Sequence, residues 1–419
     1  MQYQITAPGL LSQRVKLPAS KSISNRVLII HALTGGAALP VNLSDCDDTD
    51  VVVEALRHNG YEINIKAAGT AMRFMTAYLA TRTGEEHLLT GTERMRHRPI
   101  HVLVNALRQL GADIRYAGDD GFPPLLISGR RLEGGRLEVP GNISSQFISA
   151  LLLIGPMLRD GLTLRLTGDI ISRPYIDLTL WTMREFGADA EWGDFETIRV
   201  APKPYKEQPY YIENDWSAAS YWYEMLALAG NPDDEIRLEG LMDGSKQGDS
   251  SVRYLFSLLG VKTSFADKEP GRLTTVTLRR TGHHVPRLEY DFVNSPDLAQ
   301  TFIVCCAVMG IPFHFRGLST LRIKETDRIE AMKAEMRKLG YVIRDANSSE
   351  LYWNGERCEP DLEAGIDTYE DHRMALSFAP AAFRYPALRV NHQRGSEISR
   401  CIVRYLQDQP QPICRAVHR

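Results

Sequence analysis

Apolar and polar positions along the chain follow a pattern that recurs six times. Each unit has a short apolar run, a turn of small polar residues and a helix-length apolar run, as in "RVKLPASKSISNRVLIIHAL" and "RLEVPGNISSQFISALLLIG". A helix that is apolar on most faces is typical of a buried core helix. The pattern therefore predicts six strand–turn–helix units. Their turns lie at Lys21, Gly69, Ser144, Trp216, Asp297 and Asp371.

The stretches between these turns contain amphipathic helices and alternating strands. "HVLVNALRQLGADIRY" and "LTLWTMREFGADAEW" each show helical periodicity, a glycine stop and then a strand-like run. The spacing between turns exceeds the repeat of most solenoids, so each unit is predicted to be a compact α/β subdomain. The first interval is the shortest, and the units divide naturally into two domains of three. The proline- and lysine-rich segment 201–211 is the best linker candidate.

Composition excludes several classes of protein. A hydrophobic fraction of 43% and a charged fraction of 24% are typical of a globular chain. A net charge of −3 argues against general attraction to nucleic acid or to an anionic membrane. We find neither an apolar run long enough to span a bilayer nor a signal peptide at the start. The six cysteines form no C-x-x-C pair, so we expect reduced thiols in a cytoplasmic protein.

The first turn places Lys21, Ser22 and Arg26 at the start of an apolar helix. Free backbone N–H groups and the helix dipole favour anions there, and the two cations strengthen that preference. The simpler alternative is a helix cap with surface cations.

Later turns carry similar donors. The segment "TERMRHRPI" contains three of them and is called the arginine-rich loop here; its simpler alternative is a solvated surface loop. These donors are Gly69, Thr70, Arg73, Arg94, Arg96, Arg98, Ser144, Ser145, Gln146, Ser172, Arg173 and Tyr175. Together they indicate a small substrate with several negative charges.

The second half of the chain adds acid–base groups. In "LRIKETDRIEAM", an ordinary interpretation pairs Glu325 with Arg328 and gives Asp327 to the helix dipole. Asp297 is by default a helix N-cap, yet a carboxylate among cations is also a candidate general base. "TYEDHRMAL" places an aspartate, a histidine and an arginine before another apolar helix. The scattered histidines do not predict a metal site.

Seven motifs carry a resemblance to a known family. "LPASKSISNR", "AAGTAMRF", "RHRPI", "SSQF", "RPYIDLT", "IKETDRI" and "YEDHRMA" occur in the order found in 5-enolpyruvylshikimate-3-phosphate synthases, and the resemblance covers nearly the whole chain. It implies an α/β fold, the two-domain inverse α/β barrel of enolpyruvyl transferases. Six βαβαββ-type units would build it, with one shortened. The C-terminal domain would comprise residues 1–16 plus 214–419, and the N-terminal domain residues 17–213.

The resemblance also implies an activity. The family transfers the enolpyruvyl group of phosphoenolpyruvate to the 5-hydroxyl of shikimate 3-phosphate, on the route to chorismate and aromatic amino acids. It implies no metal and no cofactor. We expect a cytoplasmic monomer whose partners are these two small substrates, without nucleic acid or membrane.

Site residues carry over by position. Asp297 would accept the hydroxyl proton, Glu325 would protonate the methylene carbon, and Lys324 would position the substrate. The implied catalytic set is Lys21, Asp297, Lys324, Glu325 and His372. Residues implied to bind shikimate 3-phosphate are Lys21, Ser22, Arg26, Ser144, Ser145, Gln146, Ser172 and Tyr175. Residues implied to bind phosphoenolpyruvate are Lys21, Gly69, Thr70, Arg98, Arg328, Arg373 and Arg400.

Departures from the family pattern keep alternatives open. Ala67 and Thr320 stand where asparagine is usual, Phe74 where proline is frequent, and Arg400 where lysine is usual. A catalytically impaired homologue is therefore one alternative. A UDP-N-acetylglucosamine enolpyruvyl transferase is another, but it would need a reactive cysteine in "TERMRHRPI", which has none. An anion- or RNA-end-binding protein would need a basic face and aromatic platforms.

Overall fold

The structure is a computed structural model that describes residues 2–36, 39–58, 60–267, 269, 271–386, 388–391 and 414–417. Helices and strands alternate through this part of the chain. The helices are α1 (Lys21–Thr34), α2 (Asp47–Arg57), α3 (Gly69–Ala80), α4 (Glu93–Arg96), α5 (His101–Gln109), α6 (Ser145–Ile154), α7 (Arg173–Glu185), α8 (Trp216–Leu228), α9 (Val252–Leu258), α10 (Ala299–Met309), α11 (Arg328–Lys338) and α12 (His372–Phe378).

The strands are short and separated by helices or tight turns. They are β1 (Gln2–Ile5), β2 (Ser12–Lys16), β3 (Glu62–Asn64), β4 (Glu86–Thr90), β5 (Asp113–Tyr116), β6 (Leu125–Ser128), β7 (Gly135–Pro140), β8 (Leu162–Thr167), β9 (Ala190–Trp192), β10 (Thr197–Val200), β11 (Glu235–Met242), β12 (Val261–Phe265), β13 (Leu273–Arg280), β14 (Leu288–Asp291), β15 (Phe313–Arg316), β16 (Arg344–Ala346), β17 (Glu350–Trp353), β18 (Ile366–Asp367), β19 (Leu388–Asn391) and β20 (Cys414–Val417).

The chain divides into two compact units. Residues 19–213 form one, here called the N-terminal unit, and residues 1–18 with 214–419 form the other, the C-terminal unit. The segment 201–211 belongs to the N-terminal unit. Its Tyr205 is buried, and the tyrosine hydroxyl donates to the carbonyl of Leu153 at 2.8 Å. The segment is therefore irregular in structure and mostly exposed, but Tyr205 anchors it to the unit, which differs from a free linker.

Two four-stranded sheets belong to the N-terminal unit, in the orders β3-β4-β6-β5 and β7-β8-β10-β9. In both sheets the first pair is parallel and the next two pairs are antiparallel. With the helices between the strands, each sheet forms a βαβαββ unit. Helices α1, α3 and α6 contact one another and are buried along most of their length, as their apolar sequences predict. The described residues between Ala19 and His58 contain α1 and α2 and no strand.

Three four-stranded sheets belong to the C-terminal unit, in the orders β12-β13-β11-β2, β14-β15-β17-β16 and β18-β19-β1-β20. Each repeats the same succession of one parallel and two antiparallel pairs. Helix α10 is buried from Ala299 to Ala307 and contacts α8 and α12. The predicted α/β architecture is confirmed, and the predicted helix starts coincide with the polar turns that carry the candidate site residues.

Candidate active site

Arg328 is the centre of the predicted site residues in the C-terminal unit. It is the first residue of α11, and its side chain is only 1% exposed. Asp327 is the N-cap of this helix, because its carboxylate accepts hydrogen bonds from the backbone N–H groups of Ile329 and Glu330. The ordinary interpretation of Asp327 as a residue that serves the helix start is therefore correct.

Three carboxylates surround the guanidinium group of Arg328. Asp371 accepts from Nε at 2.7 Å and from Nη2 at 3.2 Å, in the two-point geometry that arginine favours. Nη1 donates to Asp297 at 3.1 Å, and Nη2 donates to Glu325 at 2.7 Å. Burial by itself lowers the pKa of Arg328, but the nearby carboxylates outweigh burial and raise that pKa above its usual value. The guanidinium is thus permanently charged.

Asp297 lies among three cations. Besides Arg328, its carboxylate accepts from Nη2 of Arg373 at 3.0 Å and lies 3.4 Å from Nζ of Lys324. Asp297 belongs to a 3₁₀ turn, Pro296–Leu298, and the residue that precedes α10 as its N-cap is Leu298. The default interpretation of Asp297 as a helix cap is therefore wrong, because its side chain is bound to cations.

Asp371 is completely buried and fixes the start of α12. It is the N-cap of that helix and accepts a hydrogen bond from the backbone N–H of Arg373 at 3.0 Å. Since Asp371 also binds Arg328, one carboxylate connects the starts of α11 and α12. His372 is half-buried at the first position of α12. The C-terminal unit thus brings together Asp297, Lys324, Glu325, Arg328, Asp371 and Arg373.

Asp249 is a buried acid that the sequence did not single out. It lies in the 3₁₀ helix Gly248–Ser251 and accepts a hydrogen bond from the hydroxyl of Ser217, while its Oδ1 has no hydrogen-bond partner in the described residues. Burial, and then the negative charge of Asp297, raise the pKa of Asp249 to about 7, whereas Arg373 opposes that shift. The segment "KQGDSS" is rich in turn residues, so its sequence indicates only a loop.

In the N-terminal unit, Lys21 begins α1 behind the N-cap Ser20, whose hydroxyl accepts from the backbone of Ile23. Nζ of Lys21 lies 3.0 Å from Oδ2 of Asp48, and the two side chains are 25% and 20% exposed. Asp48 belongs to the first turn of α2. Its sequence, "DCDDTD", indicates a helix start and gives no sign of this partnership, because the two residues come from different helices.

Arg26 is a buried cation held by uncharged groups. Its side chain donates to the hydroxyls of Thr179 at 2.7 Å and Ser149 at 3.2 Å. It also donates to the carbonyls of Ser22 at 2.7 Å and Tyr175 at 3.2 Å. Burial lowers the pKa of Arg26 to about 10, with Tyr175 opposing the shift, so the group remains charged at neutral pH.

Gly69 gives two arginines close access to a helix start. A Cβ atom at this position would lie 2.6 Å from Nη1 of Arg98 and 3.1 Å from Nη1 of Arg73, so any side chain would displace them. Arg73 is buried and donates to the carbonyl of Gly69 at 3.0 Å. In the arginine-rich loop, Arg98 is half-buried, whereas Arg94 and Arg96 are exposed. The solvated-loop alternative is therefore correct for the latter two.

Several predicted hydroxyl and amide donors lie at the starts of α3, α6 and α7. Ser144 is the N-cap of α6, and its hydroxyl accepts from the backbone of Gln146. The Gln146 side chain donates to the Thr70 hydroxyl at 3.1 Å, which links α6 to α3. Ser172 precedes α7 in the left-handed conformation, with φ of 53°. Ser145 and Ser172 are buried, and Tyr175 is half-buried.

One predicted site residue is not described by the structure. Arg400 lies outside the described residues. Cys46 is half-buried, and burial raises the pKa of its thiol even though Lys21 opposes the shift. Such a thiol is a poor nucleophile.

No group of three or more histidine, cysteine, aspartate or glutamate side chains in the described ranges could hold a metal ion. None of the helices in those ranges combines the length and apolar character needed to cross a membrane.

Comparison with known proteins gives a consistent result. The family model for EPSP synthase (3-phosphoshikimate 1-carboxyvinyltransferase) matches residues 5–64 and 59–401. A Bacteroides fragilis protein named 3-phosphoshikimate 1-carboxyvinyltransferase is 55% identical over 391 residues, 93% of each chain. A Cellvibrio japonicus protein of the same name is 36% identical, over 90% of this chain and 92% of its own.

Solved structures agree at the level of the fold. An EPSP synthase from Acinetobacter baumannii matches with a TM-score of 0.76 at 18% identity, covering 100% of both chains. A second structure of that enzyme matches with a TM-score of 0.71 at 19% identity, covering 93% of this chain and 94% of the other. The resemblance drawn from the seven motifs is thereby confirmed. The chain belongs to the EPSP synthase family.

Proposed function

We propose that this chain transfers the enolpyruvyl group of phosphoenolpyruvate to the 5-hydroxyl of shikimate 3-phosphate and releases inorganic phosphate. It thereby serves the shikimate pathway to chorismate and the aromatic amino acids. The observation that carries this proposal is the 55% identity, over 93% of both chains, to a protein named for that reaction. At such identity and coverage, we expect substrates and chemistry to be shared.

The donors of the N-terminal unit suit the anionic groups of these substrates. Lys21 and Arg98 supply positive charge at the starts of buried helices, where backbone N–H groups also favour anions. We assign Ser22, Arg26, Ser144, Ser145, Gln146, Ser172 and Tyr175 to shikimate 3-phosphate. Gly69, Thr70 and Arg98 are assigned to phosphoenolpyruvate. The burial of Arg26 between hydroxyls and carbonyls supports an additional role in orienting the start of α7.

The acid–base groups of the C-terminal unit suit the bond changes. In the addition step, Glu325 delivers a proton to the methylene carbon, the substrate's 5-oxygen bonds to C2, and Asp297 takes the hydroxyl proton. In the elimination step, the Glu325 carboxylate takes a proton back from the methyl group, the C2–C3 double bond reforms, and the C2–oxygen bond breaks so that phosphate leaves with its electron pair. Lys324, Arg328 and Arg373 neutralise the departing phosphate and hold the carboxylates in place. We also assign His372, the first residue of α12, to the catalytic set.

We also propose that the two compact units correspond to the two domains of the fold, residues 17–213 and residues 1–16 plus 214–419. A cytoplasmic location is supported by the free thiols of Cys46, Cys305, Cys306 and Cys358, which are typical of a reducing compartment.

We further propose that the protein is a monomer, which sedimentation at several protein concentrations would test. A mass that rises with concentration would contradict it.

A phosphate-release assay tests the activity directly. The purified chain is mixed with phosphoenolpyruvate and shikimate 3-phosphate, and inorganic phosphate is measured over time. We expect release only when both substrates are present, together with an enolpyruvyl ether product seen by mass spectrometry. Replacing shikimate 3-phosphate with UDP-N-acetylglucosamine should abolish release. Absence of phosphate with the full pair would contradict the proposal and favour an impaired homologue.

Glu325→Gln tests the assigned proton donor. The amide keeps the size of the side chain but has no acidic proton, so turnover should fall by about a hundredfold or more. Affinity for shikimate 3-phosphate, measured by calorimetry, should change much less. Glu330→Gln is the matched control, since Glu330 is an exposed glutamate nearby, in the first turn of α11. If both variants keep normal turnover, Glu325 does not have this role.

A further inference from the structure

The loop that leads into α12 has an unusual backbone. Tyr369 and Glu370, the two residues before Asp371, both adopt the left-handed region, with φ of 53° and 55°. Neither residue is glycine or asparagine, the types that tolerate this conformation best. Two consecutive residues of this kind persist only where the surrounding structure fixes them. Asp371, His372 and Arg373 follow directly, so the orientation of three site residues depends on this turn.

Glu335 provides the fixing contacts. It lies on α11, two helical turns beyond Arg328, and is completely buried. Its Oε1 accepts a hydrogen bond from the Tyr369 hydroxyl at 2.6 Å. Its Oε2 accepts from the backbone N–H of Asp367 at 2.9 Å and lies 2.8 Å from Nζ of Lys338. One carboxylate thus binds both sides of Thr368 and holds the approach to the left-handed pair.

Helix α11 therefore holds the loop at two levels. At its start, Arg328 binds Asp371, and two turns later Glu335 binds Tyr369 and Asp367. Tyr369 is 39% exposed, so part of its ring is buried, and its hydroxyl contact with Glu335 fixes the direction of the side chain. A hydrogen bond from a phenol to a carboxylate belongs to the stronger, charge-assisted class, and here the two oxygens lie 2.6 Å apart.

We propose that Glu335 and Tyr369 form a positioning pair that holds the left-handed turn and thereby orients Arg373 toward phosphoenolpyruvate. This inference rests on the proposed function for the identity of that substrate. Neither residue touches the reacting atoms; each acts through the turn. The pair is distinct from the ion pairs of Arg328, because it acts on the backbone before Asp371 and not on the Asp371 side chain.

Tyr369→Phe is the most direct test, since it removes one hydroxyl and leaves the ring. We expect the KM for phosphoenolpyruvate to rise about tenfold, the effect of losing one hydrogen bond to a charged group. The KM for shikimate 3-phosphate should stay within about twofold, because the residues assigned to hold its phosphate and ring precede α8. Tyr254→Phe, at another exposed tyrosine of the same unit, is the matched control and should change neither constant.

Two further measurements separate positioning from general stability. Amide hydrogen exchange should show faster exchange for residues 371–375 in Tyr369→Phe, with the sheets of the C-terminal unit unchanged. The double variant Tyr369→Phe/Glu370→Asn should recover much of the affinity for phosphoenolpyruvate, because asparagine tolerates the left-handed conformation. An unchanged KM for phosphoenolpyruvate with unchanged exchange would overturn the proposal, as would equal rises in both KM values.

Hydrogen exchange also keeps this inference separate from the proposed function. If the wild-type chain releases no phosphate, the assigned activity fails. Even then, faster amide exchange at residues 371–375 in the Tyr369→Phe variant would by itself support the positioning pair. Normal phosphate release by the wild type, combined with a Tyr369→Phe variant that matches it in every measurement, would overturn the pair and leave the activity intact.

Discussion

Arg328 and Arg26 are both buried arginines near the start of a helix, yet their surroundings differ. Arg328, in the C-terminal unit, contacts three carboxylates, from Asp371, Asp297 and Glu325. Arg26, in the N-terminal unit, binds two hydroxyls and two backbone carbonyls. The pKa of Arg328 is raised because its carboxylates outweigh burial, whereas burial lowers the pKa of Arg26 to about 10.

This difference shows how one repeated architecture can supply two kinds of chemistry. Around Arg328 the charges of both signs are held in fixed positions, which suits proton transfer between defined groups. Around Arg26 the partners carry only partial charges, so the positive charge is not cancelled by a carboxylate in contact with it. A buried positive charge of that kind favours a nearby anion. The contrast predicts that the two arginines contribute differently to stability.

The largest effect is expected for Arg328→Met. Removing the guanidinium leaves three carboxylates close together without their counter-charge. A buried ion pair that loses one partner typically costs about 3–5 kcal/mol, so we expect a loss of that size in the free energy of unfolding. Urea unfolding followed by circular dichroism measures it. Arg322→Met is the matched control, because Arg322 also contacts three carboxylates but is 25% exposed. Equal, small losses in both variants would contradict the comparison.

A smaller effect is expected for Arg26→Met, at about 1–3 kcal/mol of unfolding free energy. Its hydroxyl partners keep other hydrogen bonds, since Ser149 and Thr179 lie 2.8 Å apart and Thr179 donates to the Tyr175 carbonyl. The same urea titration measures the loss, with the exposed Arg165→Met as control. The loss in binding free energy for shikimate 3-phosphate should exceed the loss in unfolding free energy. A loss as large as that of Arg328→Met would show that the uncharged partners matter as much as carboxylates.

Much of the fold could be predicted because its signals are local. A polar turn followed by an apolar helix lies within about twenty consecutive residues, and it recurs at the start of α1, α3, α6, α8, α10 and α12. The cap of α11 at Asp327 and the pair of Glu325 with Arg328 are also local, at spacings of a few residues. Family motifs then supplied the fold class, which the comparisons confirm.

The rest could not be predicted because it depends on residues far apart in the chain. Arg26 binds Thr179, 153 residues away, so its burial has no sign in "KSISNR". Arg328 binds Asp371 across 43 residues, and Lys21 binds Asp48 across 27. A periodic pattern shows which face of an element is buried, but not which side chain of another element meets it. Asp249 was missed for the same reason, since only the folded chain buries it near Asp297.

The smallest effect concerns Asp249, a buried carboxylate without the guanidinium contacts that Arg328 gives its neighbours. Burial and the charge of Asp297 raise its pKa to about 7, above the usual value of 3.8. The folded chain therefore holds a proton that the unfolded chain has released. That contribution to stability is complete below about pH 4 and is lost as the pH rises through about 7.

Asp249→Asn should remove this dependence, because the amide does not titrate in that range. Between pH 6 and 8, the unfolding free energy of the wild-type chain should fall by about 1 kcal/mol more than that of the variant. Urea titrations at several pH values measure this slope. Asp233→Asn, at an exposed aspartate of the same unit, should retain the wild-type slope. If Asp249→Asn also retains it, Asp249 is ionised throughout this range, and a buried carboxylate of this unit needs no direct guanidinium contact to stay charged.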